Sequence, residues 1–221
     1  MSSASPLRTV VLVSGSGSNL QAIIDHTQSG SLGIQLTGVI SDRPGVLALE
    51  RAKRANIPAL TIDHAQAGSS VAFQQQLGAT LAELDPQLIV LAGFMRILSP
   101  AVVSAWEGRM LNVHPSLLPK YPGLHTYRRA LEAGDSVHGS TVHFVIPELD
   151  AGPGILQYRV RIKPGDSEDS LRARVQQGEY LIYPRAIAWF AAGRLALRDG
   201  STWLDGERLG APVIVDEVGP G

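Results

Sequence analysis

No cysteine occurs among the 221 residues of the chain. Its absence excludes a disulfide framework, a thiolate nucleophile and any Cys-ligated zinc or iron–sulfur centre, and it fits a reducing compartment. An excess of one charge is missing too. The chain has 19 Lys and Arg against 20 Asp and Glu, a formal net charge of −1. That balance argues against bulk electrostatic binding to nucleic acid or to an anionic membrane surface. The longest apolar runs, such as Leu88–Gly93, are strand-sized, far short of the ~20 residues that span a bilayer. The N-terminal stretch to Arg8 lacks the basic region and apolar segment of a signal peptide. No H-x-x-x-H or H-E-x-x-H pattern is present, and the spacing of His138 and His143 puts them on opposite faces of a strand, so no metal site is expected. These absences together describe a soluble, cytoplasmic protein. Its length lets it bury roughly 70% of its unfolded surface without covalent staples.

What the chain does have is alternation. Thr9–Ser14 reads as a buried strand, followed by a helix over Asn19–Ser29 with Leu20, Ile23 and Ile24 at helical spacing. Leu36–Ser41, Ala59–Ile62 and Gln87–Ala92 read as further strands, separated by helices at Val46–Ala55 and Val71–Leu84. Strands joined by single helices of about 10–15 residues indicate βαβ units and a parallel sheet. From residue 98 the pattern changes: a helix at Pro100–Trp106, a strand at Met110–His114, a Pro-rich loop at Pro115–Gly123 and a helix near Tyr127–Ala133. Alternating strands at Gly139–Ile146 and Ile155–Ile162 look antiparallel, and a long amphipathic helix covers Ser170–Ala192. The expected fold is α/β: a doubly wound, mostly parallel sheet, Rossmann-like in its N-terminal half, with antiparallel additions and a long C-terminal helix. The tail after Asp199 reads as a loosely packed end, with Val213–Val215 as a short edge strand.

The turn Ser14-Gly15-Ser16-Gly17-Ser18-Asn19 lies between the first strand and the first helix. Small residues there let backbone N–H groups approach a ligand, and a helix N-terminus favours an anion, so the turn is a candidate phosphate site with Ser18 as N-cap. Leu20 breaks the dinucleotide fingerprint where a small residue is needed, although Asp42 follows the second strand as a ribose-binding acid would. No Gly-Lys-Ser/Thr is present for a P-loop, and Gly15-Ser16-Gly17 is too tight for a nucleophile elbow. A phosphate on something smaller than NAD fits better than a dinucleotide; the alternative is a tight strand-to-helix turn that binds nothing.

Asn112-Val113-His114-Pro115 is the sharpest feature of the chain. Residues two apart on a strand share a face, so an amide and an imidazole stand side by side where Pro115 ends the strand. The amide can donate to a developing oxyanion, and the imidazole can move protons near neutral pH. Asp150, on the loop between the two antiparallel strands, is a candidate partner that would favour the charged imidazole, with Glu148 as the alternative. Gly93–Leu98 follows the fourth strand and suits a flat aromatic ligand, with Arg96 pairing a carboxylate or capping the sheet.

Five segments together closely resemble the phosphoribosylglycinamide formyltransferase family, folate-dependent enzymes of de novo purine synthesis. They are residues 14–25 (SGSGSNLQAIID), 91–100 (LAGFMRILSP), 111–135 (LNVHPSLLPKYPGLHTYRRALEAGD), 138–145 (HGSTVHFV) and 148–157 (ELDAGPGILQ). The resemblance runs from about residue 8 to 205. It implies one formyltransferase domain over 1–205, with a phosphate-binding half at 8–100, a catalytic and folate half at 101–205, and a tail at 206–221. It implies formyl transfer from 10-formyltetrahydrofolate, as co-substrate, to the amine of glycinamide ribonucleotide, with small-molecule partners only and a monomer or homodimer. Asn112, His114 and Asp150 would be the catalytic trio. Gly17, Ser18, Asn19 and Glu179 would hold the ribonucleotide. Met95, Arg96, Ile97, Leu98, Asn112, Ile146, Glu148 and Asp150 would hold the folate. The chain departs from the family at Ser70, where a basic residue near the folate's glutamate tail is often found.

Overall fold

The computed structural model describes residues 5–217, so the last four residues of the expected tail lie outside the described residues. The chain forms two compact units that divide between Leu111 and Asn112.

The first unit contains β1 (Leu7–Val13), α1 (Ser18–Gln28), β2 (Ile34–Ser41), α2 (Leu47–Arg54), β3 (Ala59–Thr61), α3 (Ser70–Leu84), β4 (Leu88–Leu91) and α4 (Pro100–Ala105). β1 pairs in parallel with both β2 and β4, and β2 with β3, giving the order β4-β1-β2-β3. A parallel strand covered on both faces has no solvent side, which is why Val10–Val13 of β1 and Leu88–Leu91 of β4 are continuous apolar runs rather than alternating ones. Val10, Val11, Leu12 and Val13 are all fully buried, each contributing about 1.5–3 kcal/mol. α3 and α4 start where side chains satisfy orphan N–H groups: Ser69 accepts from Ala72 N, and Ser99 from Val102 N with Pro100 in the first turn.

β5 (Met110–His114) carries the chain into the second unit, where α5 (Thr126–Glu132), β6 (Val137–Phe144), β7 (Gly154–Arg161) and α6 (Glu168–Ala191) follow. β6 and β7 pair antiparallel, as expected, with a register shift between Val142 and His143. α6 opens on a capping box between Ser167 and Ser170 and buries Leu171, Val175, Ile182, Ala186 and Ile187.

The end of the chain corrects the expectation of a loosely packed tail. β8 (Leu195–Arg198), β9 (Ser201–Leu204) and β10 (Glu207–Arg208) form a small antiparallel sheet. Its two turns, Asp199-Gly200 and Asp205-Gly206, have positive φ at all four residues, the conformation in which Asp-Gly joins twisted strands. β11 (Val213–Asp216) is the edge strand, paired in parallel with β7. No helix among the described residues is long and apolar enough to cross a membrane.

Candidate active site

In the first unit, the turn after β1 is shaped by a backbone that comes too close for side chains. Gly17 sits at φ 70, and a Cβ there would lie 2.7 Å from the Ala48 side chain of α2. Gly15 by contrast borders open space. Arg51 braces the turn from α2, donating to the Ser16 carbonyl at 2.9 Å and to Gln21 Oε1 at 2.9 Å. Ser18 is not the N-cap expected of it. Gly17 takes that position and Ser18 is the first helical residue, so α1 begins with no side-chain cap on its N–H groups, an arrangement suited to an external anion.

The loop after β4 divides into outward and inward side chains. Met95 and Ile97 are 59% and 67% exposed, whereas Leu98 is buried. The Met95 N–H donates to Ser14 Oγ at 2.8 Å, tying this loop to the glycine-rich turn. Arg96 points back to donate from Nε to Asp42 Oδ2 at 2.7 Å. Asp42, whose carboxylate is completely buried, is therefore engaged by an arginine of its own chain. Arg96 takes the first of its two expected roles, pairing a carboxylate.

The second unit brings together the residues singled out on chemical grounds. His114 Nδ1 lies 3.4 Å from Asp150 Oδ2, and both side chains are at least nine-tenths buried. Asp150 is the partner, rather than Glu148, which is exposed on the surface of the same loop. Asp150 adopts φ 51, a left-handed conformation that costs a non-glycine residue about 1 kcal/mol or more. Its Oδ2 also accepts from the Gly123 N–H at 2.8 Å. On its other side the His114 ring donates from Nε2 to the Tyr121 carbonyl at 2.8 Å. That bond fixes one ring proton and turns Nδ1 toward the carboxylate.

Asn112 donates from Nδ2 to Nε2 of His143 at 3.1 Å. His143 in turn donates from Nδ1 to the Phe144 carbonyl at 2.8 Å, and Nε2 lies 4.0 Å from Asp150 Oδ1. Burial pushes its pKa down to about 4, against weaker raising effects of the Phe144 carbonyl and Asp150. His143 is thus a neutral acceptor near neutral pH. It was not expected here; the register shift beside it re-aims the side chain, as bulges near functional sites do. Gly152 closes the loop against this strand, since a Cβ there would sit 1.8 Å from the Phe144 carbonyl oxygen.

The Pro-rich loop after β5 is held by hydroxyls and amides. Thr141 Oγ1 donates to Ser116 O at 2.6 Å and accepts from Leu118 N at 3.0 Å, while Gln157 donates to Leu118 O at 2.8 Å. Of the remaining expected residues, Ile146 is half-buried at the base of the Asp150 loop. Glu179 is buried on α6; after desolvation, its charge is the largest effect raising the Tyr127 hydroxyl pKa. Among the described residues no group of three or more His, Cys, Asp or Glu is arranged to hold a metal ion.

The Asn112 amide on His143, with Asp150 between the His143 and His114 rings, sets donor and proton-carrying groups in one series, the kinds of group that can stabilise an oxyanion and move protons. Residues 7–187 match the family model described as formyl transferase, and the chain belongs to that family. It is 52% identical over 203 residues to the phosphoribosylglycinamide formyltransferase of Escherichia coli (strain K12), across 92% of this chain and 96% of that one. Over 202 residues it is 46% identical to the Haemophilus influenzae protein of the same name, across 91% and 95%. The solved phosphoribosylglycinamide formyltransferase of Coxiella burnetii matches with a TM-score of 0.89 and 49% identity, over 94% of this chain and 99% of that one. The fold is the mostly parallel, Rossmann-like α/β class expected from the sequence.

Proposed function

We propose that the protein transfers the formyl group of 10-formyltetrahydrofolate to the amine of glycinamide ribonucleotide, giving formylglycinamide ribonucleotide and tetrahydrofolate in purine synthesis. The observation that carries this reading is the contact of His114 with Asp150 beside an Asn112 whose amide N–H direction is set by His143. The names of the relatives supply the acceptor and the group transferred, and the folate donor follows from the resemblance read in the sequence. As substrate, the formyl folate brings an amide-like carbon whose leaving group is N10.

In the proposed reaction the glycinamide nitrogen attacks the formyl carbon, forming a C–N bond and a tetrahedral oxyanion. Asn112 donates to that oxygen, with the His114 ring beside it held in orientation by Asp150. The oxyanion then collapses, the bond from carbon to N10 breaks, the attacking nitrogen gives up a proton and N10 takes one up. Gly17, Ser18 and Asn19 at the uncapped start of α1 receive the ribonucleotide phosphate, and Glu179 serves the ribose. Met95, Arg96, Ile97, Leu98, Ile146 and Glu148 flank the folate. A cytoplasmic enzyme acting as monomer or homodimer, with small-molecule partners only, completes the reading.

The test is to mix the protein with glycinamide ribonucleotide and 10-formyl-dideazafolate and follow the absorbance of the deformylated product, with a control lacking ribonucleotide. A ribonucleotide-dependent rise is expected. Equal rates in both tubes would make water the acceptor and overturn the reading of Ser14–Asn19. Asn112→Ala should lower turnover about 10²–10³-fold while ribonucleotide affinity holds.

A further inference from the structure

The Tyr121 carbonyl that accepts from His114 belongs to a loop residue at φ 56, a conformation that a non-glycine side chain does not hold unaided. Its placement needs an external cause. Inside the second unit that cause converges on one carboxylate. Asp135, in the short connection between α5 and β6, accepts from the Tyr121 hydroxyl at 2.8 Å and from Lys120 Nζ at 2.9 and 3.0 Å. Two consecutive loop side chains are thereby tied to one group whose side chain is only 17% exposed. Arg129 adds a lid from α5, with its guanidinium 5.0 Å from the centre of the Tyr121 ring and a bond of 2.7 Å to the Pro122 carbonyl. Asp135 is itself fixed, since its N–H donates to Ala130 O at 3.1 Å.

We infer that Asp135 is a positioning residue for His114: by holding Tyr121 and Lys120 it sets the Tyr121 carbonyl, and that carbonyl sets the proton on His114 Nε2 and the direction of Nδ1. The inference rests on His114 doing the chemistry proposed above. Asp135 touches no reacting atom in this scheme; it acts through the Tyr121 and Lys120 side chains and the hydrogen bond between the Tyr121 carbonyl and His114. When the clamp is removed, the loop relaxes out of the left-handed conformation and the carbonyl leaves Nε2. The Nε2 proton of His114 then loses its acceptor, and the ring is free to turn relative to Asp150.

The test compares wild type with Asp135→Ala, Asp135→Asn and Tyr121→Phe, each checked for unchanged thermal stability and circular dichroism. Turnover is followed with both substrates varied, and the His114 ring nitrogens are followed by ¹⁵N NMR of the full-length protein. Asp135→Ala should lower kcat about ten- to a hundredfold with both KM values within a few-fold of wild type, and the His114 Nε2 signal should shift. Tyr121→Phe, which keeps the Lys120 tie, should fall between. A fall in kcat with the His114 signals unmoved, a change confined to KM, or no change in either measurement would each overturn the positioning role. Should Asp135→Ala not fold, Asp135→Asn carries the same readouts. His114→Ala, run alongside, separates the two claims: if it retains turnover, the chemical role of His114 fails, while the NMR shift still reports on the clamp.

Discussion

Asn112 gives an amide hydrogen to Nε2 of His143, and that bond decides which amide atom would meet the substrate oxygen in the proposed reaction. The His143 ring proton is committed on Nδ1 to the Phe144 carbonyl, so Nε2 accepts and the atom facing it must be the amide nitrogen. Its second N–H is then oriented by geometry that is in place before any substrate arrives, the arrangement that makes an oxyanion donor effective.

Replacing His143 by Phe keeps an aromatic ring of similar size in the buried slot but removes the acceptor. The amide is then free to rotate, and its carbonyl oxygen can face the oxyanion. We expect kcat to fall by about tenfold or more, less than for Asn112→Ala, and the double variant to be no worse than Asn112→Ala alone. Steady-state kinetics of the three proteins would check this. Additive losses would show that the two residues act separately.

Stability should carry the signature of two buried, neutral histidines. Burial pushes His138 and His143 from the ordinary 6.5 down to about 4. The unfolded chain then binds more protons than the folded one between those values, so the unfolding free energy rises with pH across that window. Above about pH 6.5 these rings make no difference, stability drops as pH falls from about 6.5 to about 4, and below that they cost nothing further. The full effect is roughly 3 kcal/mol per ring as an upper figure. Urea unfolding at pH 7.5, 5.5 and 4.5 would measure it. His138→Phe should flatten the slope, and an unchanged slope would contradict the assignment.

A third expectation concerns α6 and β7. Gly178 leaves room for the Tyr158 ring, which would lie 1.8 Å from an added Cβ. Gly178→Ala should therefore cost about 3 kcal/mol or more. Once Tyr158→Ala has emptied the ring's place, the same methyl should cost little further. A double-mutant cycle by denaturant titration should show coupling well above 1 kcal/mol.

Much of this was legible in the chain, for identifiable reasons. Thr9–Ser14 and Gln87–Ala92 read as buried strands because a parallel sheet demands unbroken apolar runs. Asn112 and His114 read as neighbours because the period of a strand is two. The partnership of His143 with Asn112 joins two different strands, and the period of one strand says nothing about which residue of another faces it. The Tyr121 carbonyl leaves no mark in sequence at all, being a backbone atom placed by Asp135. The β8–β10 sheet did have a signal, the two Asp-Gly pairs at Asp199 and Asp205, each the favoured filling of a two-residue hairpin turn.

Gly17 offers the most direct probe of the proposed phosphate site. Its φ of 70 is left-handed, and its Cα faces α2 so closely that even one methyl meets Ala48 Cβ at 2.7 Å and Ala48 Cα at 2.8 Å. Gly17→Ala therefore forces the turn away from α2 and disturbs the start of α1, where a phosphate would gain from the helix dipole and backbone N–H groups. The chemical groups Asn112, His114 and Asp150 are untouched by this change. The expected outcome is a KM for glycinamide ribonucleotide raised about tenfold or more, with the folate KM held and a loss of stability of about 1–3 kcal/mol. Gly15→Ala, whose added methyl meets nothing within 4 Å, separates the causes. It leaves the protein as stable as wild type but places a methyl where the ligand would approach. If Gly15→Ala binds ribonucleotide as well as wild type, the phosphate does not lie over this turn.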